Sequence, residues 1–520
     1  MARKEKKDWT LLFFFASDNN LTSSMFYQLK SIKTAGYQLN TNVLVHFDPS
    51  ERGVPSRIFE INRKEKVGKT TSSIGDRDLT VRDLADDQIE PPLNGNQQGK
   101  YSADYDTQPA DDALTHFLEV ARRDYPAKQY MLFLVGHGLI VGRDEFLPDE
   151  NPESAISLVE LGKIVRDFSG KIRKDGGVLE LIGMHSCSMS AVEVAYQLKG
   201  TANYMMGSEG FSYIGAWPYR RMLQQIFTAV DKGKTIDVRG LLTKLHELCF
   251  HNTADVIFAG YSSDLTLISL DRDKVEALSS PIESLTRALL AGLEDNRGKE
   301  LILLAHLKSQ SYWQELYTDL YDFCLCLYES CNESESNVVQ GAMKSACNEV
   351  MKVLTPQPDG DGPIVQTDFF GPDCQYSYGL SIYFPWTKPV EDACDHAIRN
   401  YRNYAFVTEL CGSSWLEFLD AYFKKSLRPK RPVTLTTAPS YAVKRTLQSV
   451  TSTYNPIAFP SSAPHHDSSV LVPGKVSPAD ASGYGGYSVI KNYSREFPIT
   501  ERTLKVFAHA TRGKRGNKKP

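Results

Sequence analysis

The chain has 520 residues, 41% of them hydrophobic, so it is too long for one small domain and can bury a large core. Its formal net charge of -4 conceals a separation of signs along the chain. From residue 424 to the end there are 17 Lys and Arg against 4 Asp and Glu, so a globular, acidic body precedes a basic tail.

The lengths of the apolar runs and the cysteine spacing disfavour export, membrane insertion and a disulfide or metal framework. The apolar run that begins at Leu11 is about half as long as a secretory signal requires. No later segment approaches the roughly 18 to 20 uninterrupted apolar residues of a membrane span. The one close cysteine pair, Cys324 and Cys326, lacks His or Cys partners at metal-ligand spacing. We therefore expect a cytoplasmic protein without membrane contacts, a disulfide framework or a metal site.

Strand-like and helix-like patterns alternate through residues 1–240. Apolar runs of strand length occur at 9–16, 41–48, 129–138 and 178–186, and helical spacing occurs at 21–36, 110–128, 156–168 and 190–200. Strands that are apolar on both faces and alternate with helices are typical of a parallel sheet covered on two sides. The predicted fold class is α/β, with a mostly parallel central sheet flanked by helices.

Two further regions come after this core. Residues 241–426 are mostly helical in pattern, with strand character returning at 378–386, and they are predicted to form a subdomain that packs on the core or extends it. Residues 427–520 are basic and rich in Pro, Ser, Thr and Tyr, so they are predicted to form a flexible tail. The tail has no recognisable nucleic-acid-binding motif, and nucleic acid is not the expected partner.

Two residues that suit nucleophilic chemistry follow predicted strands. His137 closes one strand in VGHG, and Cys187 follows another in HSCS. Strand ends in parallel sheets converge on one crevice, and a thiolate with a nearby His is the arrangement that cysteine catalysis requires. The 50-residue separation equals the spacing of base and nucleophile in caspases. The backbone N–H groups of Gly138 and Cys187 could form an oxyanion hole, and a helix beginning after Cys187 would favour its thiolate.

Six segments carry a resemblance to a known family. They are WTLLFFFASDNNL, DYPAKQYMLFLVGHG, ELIGMHSCSMSAVEVAYQL, YMMGSEGFSYIGAWPY, LYDF and GLSIYFP. In the same order, these segments resemble parts of the clostripain-like cysteine peptidases of the caspase-like clan. The resemblance implies a caspase-like fold and an endopeptidase that forms a thioester acyl-enzyme, with His137 as general base and Cys187 as nucleophile. It implies no required cofactor, although a calcium requirement is left open.

One position departs from the family pattern. The resemblance implies an aspartate two residues before Cys187, where it would pair with a basic P1 side chain, and this chain has His185 there. An imidazole supplies no fixed negative charge. The charge could come instead from Glu209, Asp144 or Asp18, so Arg or Lys is retained as the predicted P1 residue. The candidate substrate-binding residues are His185, Ser208, Glu209 and Trp217. Core packing is the alternative for His185 and Trp217.

We expect the enzyme to be made as a latent proenzyme, because chain cuts between the His and Cys segments activate related peptidases. The candidate cleavage sites are Arg143, Lys171, Arg173 and Lys174, and an upstream activating protease is a possible partner. The expected partners are protein substrates. Two alternatives remain: an inactive caspase-like scaffold, suggested by His185, and a nucleic-acid-binding regulator that acts through the basic tail.

Overall fold

A computed structural model describes most of the predicted core and part of the chain beyond residue 240. The described residues are 5–48, 50, 56–61, 109–139, 145–150, 153–231, 236–252, 262–313, 315–331, 338–356, 362–371, 373–386, 401–409 and 415–426. Arg143, Asp144 and the predicted tail at 427–520 lie outside the described residues.

Strands alternate with helices in the first half, as the hydrophobic pattern predicts. The strands are β1 (Lys7–Phe15), β2 (Thr41–Phe47), β3 (Arg57–Glu60), β4 (Ala127–Val135), β5 (Gly138–Leu139), β6 (Glu145–Glu150), β7 (Glu153–Ile156), β8 (Val178–His185), β9 (Tyr204–Gly207), β10 (Ser263–Ser269), β11 (Ser311–Tyr312), β12 (Tyr317–Asp319), β13 (Ile364–Phe370) and β14 (Ser381–Tyr383). The helices are α1 (Thr22–Lys33), α2 (Ala110–Asp124), α3 (Leu158–Lys174), α4 (Val192–Leu198), α5 (Tyr219–Asp231), α6 (Val238–Asn252), α7 (Arg272–Glu276), α8 (Ser279–Glu294), α9 (Asn296–Lys308), α10 (Leu320–Ser330), α11 (Val338–Leu354), α12 (Ala405–Glu409) and α13 (Trp415–Ser426).

An eight-stranded sheet is the centre of the fold. Its strand order is β13-β10-β9-β8-β4-β1-β2-β3. Strands β2, β1, β4, β8 and β9 run parallel to one another, whereas β3, β10 and β13 each pair antiparallel with a neighbour. The predicted α/β class with a mostly parallel central sheet is confirmed.

Both faces of the sheet are covered, which explains why β1 is apolar at every position from Leu11 to Phe15. Successive side chains of a strand point to opposite faces. Leu11 and Phe13 enter one apolar cluster together with residues of α1, α5 and α6. Leu12 and Phe14 enter the other cluster, with residues of α2, α3 and α4. A strand buried on both faces has no position for a polar side chain that lacks a partner.

The second half of the chain extends the sheet as well as packing on it. Strands β10 and β13 form one end of the eight-stranded sheet, so the predicted boundary at residue 240 does not separate two sheets. Strand β12 forms from Tyr317–Asp319, which the sequence pattern assigned to a helix. Asp319 then caps α10, because its side chain accepts from the Asp322 N–H. No helix in the described part of the chain is both long and apolar enough to cross a membrane.

Helix α3 is longer than predicted. It begins at a capping box in which Ser157 and Glu160 each bond to the other's backbone N–H. It continues to Lys174 instead of ending at residue 168, because Phe168 and Ile172 keep the apolar stripe in the core. Three of the proposed cleavage sites, Lys171, Arg173 and Lys174, therefore lie in helical backbone.

Candidate active site

His137 and Cys187 follow neighbouring strands at one edge of the central sheet. Strands β4 and β8 are parallel, with Val135 opposite His185, so each candidate lies two residues beyond this pair. The Gly136 N–H donates to the His185 carbonyl at 3.3 Å, which continues the contact past the last paired residues. The register thus brings the two residues to adjacent strand ends.

Gly138 packs directly against the turn that contains Cys187. A Cβ atom at position 138 would lie 2.5 Å from Met189 Cε, 2.8 Å from Ser186 Cβ and 3.2 Å from the Cys187 carbonyl oxygen. Side chains larger than hydrogen cannot fit at such separations without displacing the turn. The glycine is therefore required for the two strand extensions to meet.

The Gly138 N–H is not used by the small sheet to which this residue belongs. Gly138 lies opposite Phe146 in the antiparallel β5–β6 pair, and the Leu147 N–H donates to the His137 carbonyl at 3.0 Å. That bond makes Gly138 and Phe146 a pair whose own backbone groups point away from each other. The N–H that the oxyanion-hole prediction requires is directed away from β6.

Asn20 is a contact of His137 that sequence reasoning missed. Its Oδ1 lies 2.8 Å from His137 Nε2, so the ring donates from Nε2 and keeps Nδ1 as its basic nitrogen. Asn20 follows β1, which is the other neighbour of β4 in the sheet. The rule that reactive groups gather at the carboxyl ends of parallel strands could have identified it in the segment SDNNL.

The Cys187 thiol is enclosed. Its residue is 3% exposed, and Sγ lies 3.9 Å from the Ser212 carbonyl oxygen. Burial raises the pKa of the Cys187 thiol to about 11. Desolvation likewise lowers the pKa of His137 to about 4. Both groups are therefore neutral near pH 7 in this conformation.

A helix dipole does not assist Cys187, contrary to the prediction. Helix α4 begins at Val192, five residues after the thiol, and Cys187 lies in a turn. Ser188 has a positive φ of 55°, and the Ser190 N–H donates to the Ser208 carbonyl at 2.9 Å. The left-handed backbone at Ser188 and the bond from Ser190 to Ser208 place residues 188–190 outside the helix.

His185 occupies the core beneath the turn. It is fully buried and stacks on Trp217 at a ring separation of 4.7 Å. Its Nε2–H donates to the Tyr213 carbonyl at 2.9 Å, and its Nδ1 accepts from the Tyr219 hydroxyl at 2.6 Å. Burial lowers the pKa of His185 to about 4, so the imidazole is neutral. These contacts favour the packing alternative for His185 and Trp217.

Ser208 and Glu209 also have internal partners. The Ser208 hydroxyl donates to the Asp264 carbonyl at 2.8 Å, and Glu209 Oε1 accepts from the Gly379 N–H at 2.8 Å. Asp18, another candidate source of negative charge, is 4% exposed in the turn after β1. None of these three side chains faces an open cleft in this conformation. In the part of the chain that the structure describes, no three His, Cys, Asp or Glu side chains are grouped to hold a metal ion.

Comparison with known families decides the classification. A family model described as the clostripain family, Peptidase C11, matches residues 13–357, which is more than half of the chain. The chain belongs to the clostripain family. It is therefore a cysteine peptidase, as the resemblance predicted. A comparison with curated proteins finds no significant match.

Solved clostripain-family structures have low sequence identity to this chain. An inactive zymogen C11 protease from Parabacteroides distasonis has 17% identity and a TM-score of 0.44, covering 77% of this chain and 97% of its own. A secreted C11 protease from Bacteroides thetaiotaomicron, in complex with an irreversible peptide inhibitor, has 15% identity and a TM-score of 0.45. It covers 80% of this chain and 99% of its own.

Proposed function

We propose that the protein is a cysteine endopeptidase in which Cys187 is the nucleophile and His137 is the general base. The β4–β8 register carries this proposal, because it sets the two residues at adjacent strand ends. Close packing of Gly138 against the Cys187 turn supports the same assignment. In the proposed site a substrate carbonyl lies between the thiol and the Gly138 N–H.

The proposed reaction has two stages. Cys187 gives its proton to His137 Nδ1, and the thiolate adds to the substrate carbonyl carbon while the Gly138 and Cys187 N–H groups donate to the oxyanion. Protonated His137 gives this proton to the departing amine as the C–N bond breaks, which leaves a thioester. Water then loses a proton to His137 and hydrolyses the thioester, which restores the thiol. Asn20 accepts from Nε2–H throughout, which reserves Nδ1 for these transfers.

We also propose that the enzyme is synthesised in a latent form. A buried thiol with a pKa of about 11 and, at the adjacent strand end, an imidazole with a pKa of about 4 do not form the ion pair that attacks a carbonyl. The segment 212–214, whose Ser212 carbonyl faces the thiol, is anchored to the core, because Gln28 donates to the Ile214 carbonyl at 2.7 Å and His185 donates to that of Tyr213. Activation must therefore move this segment.

Cleavage between His137 and Cys187 is the proposed trigger. Helical backbone must unwind before it can enter a protease cleft, and Lys171 and Arg173 are further held by Glu119 and the Gly200 carbonyl. These contacts make Arg143 the preferred site. An Arg143→Ala chain should stay intact and inactive where the parent is cleaved, whereas full activity of the uncut parent would contradict latency.

A preference for Arg or Lys at P1 remains a proposal. The neutral His185 contributes no charge to it. Its support is the acidic character of residues before the tail and the nearby carboxyl of Asp264, which acts electrostatically on Cys187. Cleavage of a peptide library by the activated enzyme, with Cys187→Ala as control, should favour Arg and Lys. Equal or better cleavage after uncharged residues would overturn the preference.

Peptide electrophiles provide the direct test of the enzyme proposal. A thiol-directed electrophile on a peptide with Arg at P1 should label Cys187 of the activated chain, and His137→Ala should suppress the labelling. The matched control is Cys249, a buried thiol far along the chain from the candidate site, which should remain unlabelled. Labelling that is spread over several cysteines would favour the scaffold alternative.

Location, cofactors and partners complete the proposal. We propose that the enzyme acts in the cytoplasm on protein substrates and needs no cofactor. Cell fractionation tests the location. Activity that is lost in a calcium chelator and restored by added calcium would contradict the absence of a cofactor.

A further inference from the structure

The segment at 208–212 forms a wall of the candidate site. The Ser188 N–H, next to the nucleophile, donates to the Gly210 carbonyl at 2.8 Å, and the Cys187 thiol faces the Ser212 carbonyl. The position of the thiol therefore depends on what holds residues 208–212. Glu209, in the middle of this segment, directs its side chain into the protein interior.

The Glu209 carboxyl group is fully buried, and one of its oxygens has no donor. Oε1 accepts from the Gly379 N–H at 2.8 Å. Oε2 receives no N–H or O–H. The carboxyl group of Asp319 lies close to that of Glu209, because the two acids accept from the consecutive N–H groups of Tyr378 and Gly379. Two ionised carboxylates cannot bond to each other, because both are acceptors only.

Asp319 cannot turn away from this contact, because the backbone holds both of its oxygens. Oδ1 accepts from the Asp322 N–H at 2.7 Å, which caps α10, and Oδ2 accepts from the Tyr378 N–H at 2.5 Å. Asp319 is also fully buried. Three backbone N–H groups, those of Tyr378, Gly379 and Asp322, thus fix Glu209 and Asp319 in place.

The surroundings supply further acids. The titratable side chains that interact electrostatically with the pair are Asp264 of β10, Tyr312 of β11, Asp322 of α10 and Cys374 of the segment after β13, and Asp373 acts in turn on Cys374. Asp264 accepts from the Glu209 N–H at 2.5 Å and from the Gly210 N–H at 2.9 Å. Desolvation by burial and the neighbouring negative charges hold the pKa of Glu209 well above its usual range and raise that of Asp319 to about 8.

We infer that Glu209 and Asp319 share one proton, and that this proton holds the segment at 208–212 in place against Cys187. The two acids are positioning residues, since neither touches the reacting atoms. This inference rests on the proposed role of Cys187 as the nucleophile. Loss of the proton brings two negative charges into contact in a buried site and releases the segment.

The pH dependence is set by the sign of the pKa changes. Acids whose pKa values are raised by folding stabilise the protein at low pH, and that stability is lost as the pH rises through the folded values. Detachment of the segment is therefore an alkaline event. The window extends from about pH 6, where Asp264 also titrates, to above pH 8.

Glu209→Gln replaces the shared proton with a permanent donor. Its amide oxygen can accept from Gly379 while its NH₂ donates to ionised Asp319. Glu209→Ala, the matched control, removes both bonds. In the full chain, we expect the fall in Tm between pH 6.5 and 9.5 to be smaller for Glu209→Gln than for the parent by at least about 2 °C. Glu209→Ala should have a lowered Tm at both pH values.

Alkylation of Cys187 by iodoacetamide, followed by mass spectrometry, reports on the segment without requiring peptidase activity. From pH 6.5 to 9.5, the rate ratio of parent to Glu209→Gln should rise at least about threefold, because ionisation of the thiol itself affects both proteins equally. Parallel Tm curves would overturn the shared proton, and a constant rate ratio would overturn its positioning role. Failure of the enzyme proposal would appear separately, as an activated parent that cleaves no peptide.

Discussion

The two halves of the central sheet, β3-β2-β1-β4-β8 and β9-β10-β13, contribute opposite kinds of titratable group. Strands β2, β4 and β8 carry His46, His137 and His185 within them or just beyond their ends, and burial lowers their pKa values to about 3, 4 and 4. The other half contributes the acids Asp264 and Glu209, whose pKa values are raised by burial.

The difference shows how one physical effect, desolvation, lowers stability at both low and high pH. Desolvation disfavours the charged form of any group, so it keeps bases unprotonated and acids protonated. The histidines stabilise the fold above their unfolded pKa and lose that contribution as the pH falls through the folded values. The acids lose theirs as the pH rises. Stability should therefore decline on both sides of an intermediate pH, for reasons located in different halves of the sheet.

The largest expected effect concerns the two residues at the parallel strand ends. Cys187→Ala and His137→Ala should each lower kcat/KM of the activated enzyme by about 10⁴-fold or more, because the nucleophile and its base act as one unit. Cys249→Ala, which also truncates a buried thiol, is the control and should keep its activity. Measurable turnover by Cys187→Ala would mean that the chemistry lies elsewhere.

An acidic side chain placed among the buried histidines would test the separation of bases and acids between the two halves of the sheet. His185→Asp buries a carboxylate against Trp217 and removes the donor to the Tyr213 carbonyl, so the free energy of unfolding should fall by about 3–5 kcal/mol. His185→Phe, which keeps the stacking, should cost less. Urea unfolding measures both. A stable His185→Asp protein that cleaves better after Arg would instead make position 185 part of the substrate pocket.

Much of the stability lost at low pH is expected to come from a single histidine. His46 is 1% exposed and stacks on Phe14, and its pKa is lowered to about 3, first by burial and then by the charge of His116. His46→Phe should reduce the stability lost between pH 7 and pH 4 by about 3 kcal/mol. Unfolding curves at the two pH values test this. An equal loss of stability in the variant and the parent would show that other groups cause the loss at low pH.

The smallest expected effect concerns the orientation of His137. Asn20→Ala removes the acceptor for Nε2–H and should lower kcat by about 10- to 100-fold, with little change in KM or Tm. Asn20→Asp keeps an acceptor and should recover most of the rate. A parent-like kcat for Asn20→Ala would show that the ring is held by other contacts.

Local pattern was sufficient for most of the core. The stretches 11–15, 131–135 and 181–184 have no polar side chain because both faces of the sheet are covered, and this feature can be recognised in the sequence. The same pattern missed β10 and ended α3 too early. Short apolar runs do not distinguish a strand from a buried helix, and the last turns of α3 are decided by packing of Ile172.

Some residues of the candidate site could likewise be found from the sequence, whereas their contacts could not. Residue type, spacing and family resemblance identified His137 and Cys187, and the carboxyl-end rule placed them at one edge. The contact between His137 and Asn20 joins positions 117 residues apart, and the pairing of Glu209 with Asp319 joins positions farther apart than any helix or hairpin spans, so no periodicity encodes either one.

By itself, the sequence determined an α/β core, the family and the pair of residues proposed for the chemistry, because hydrophobic periodicity and residue type are local properties. Only the tertiary structure decided that the thiol is covered, that His185 is a packed core residue and that two acids meet beside the site. Each of these depends on desolvation, which is a property of all the surrounding chain segments together and not of any one of them.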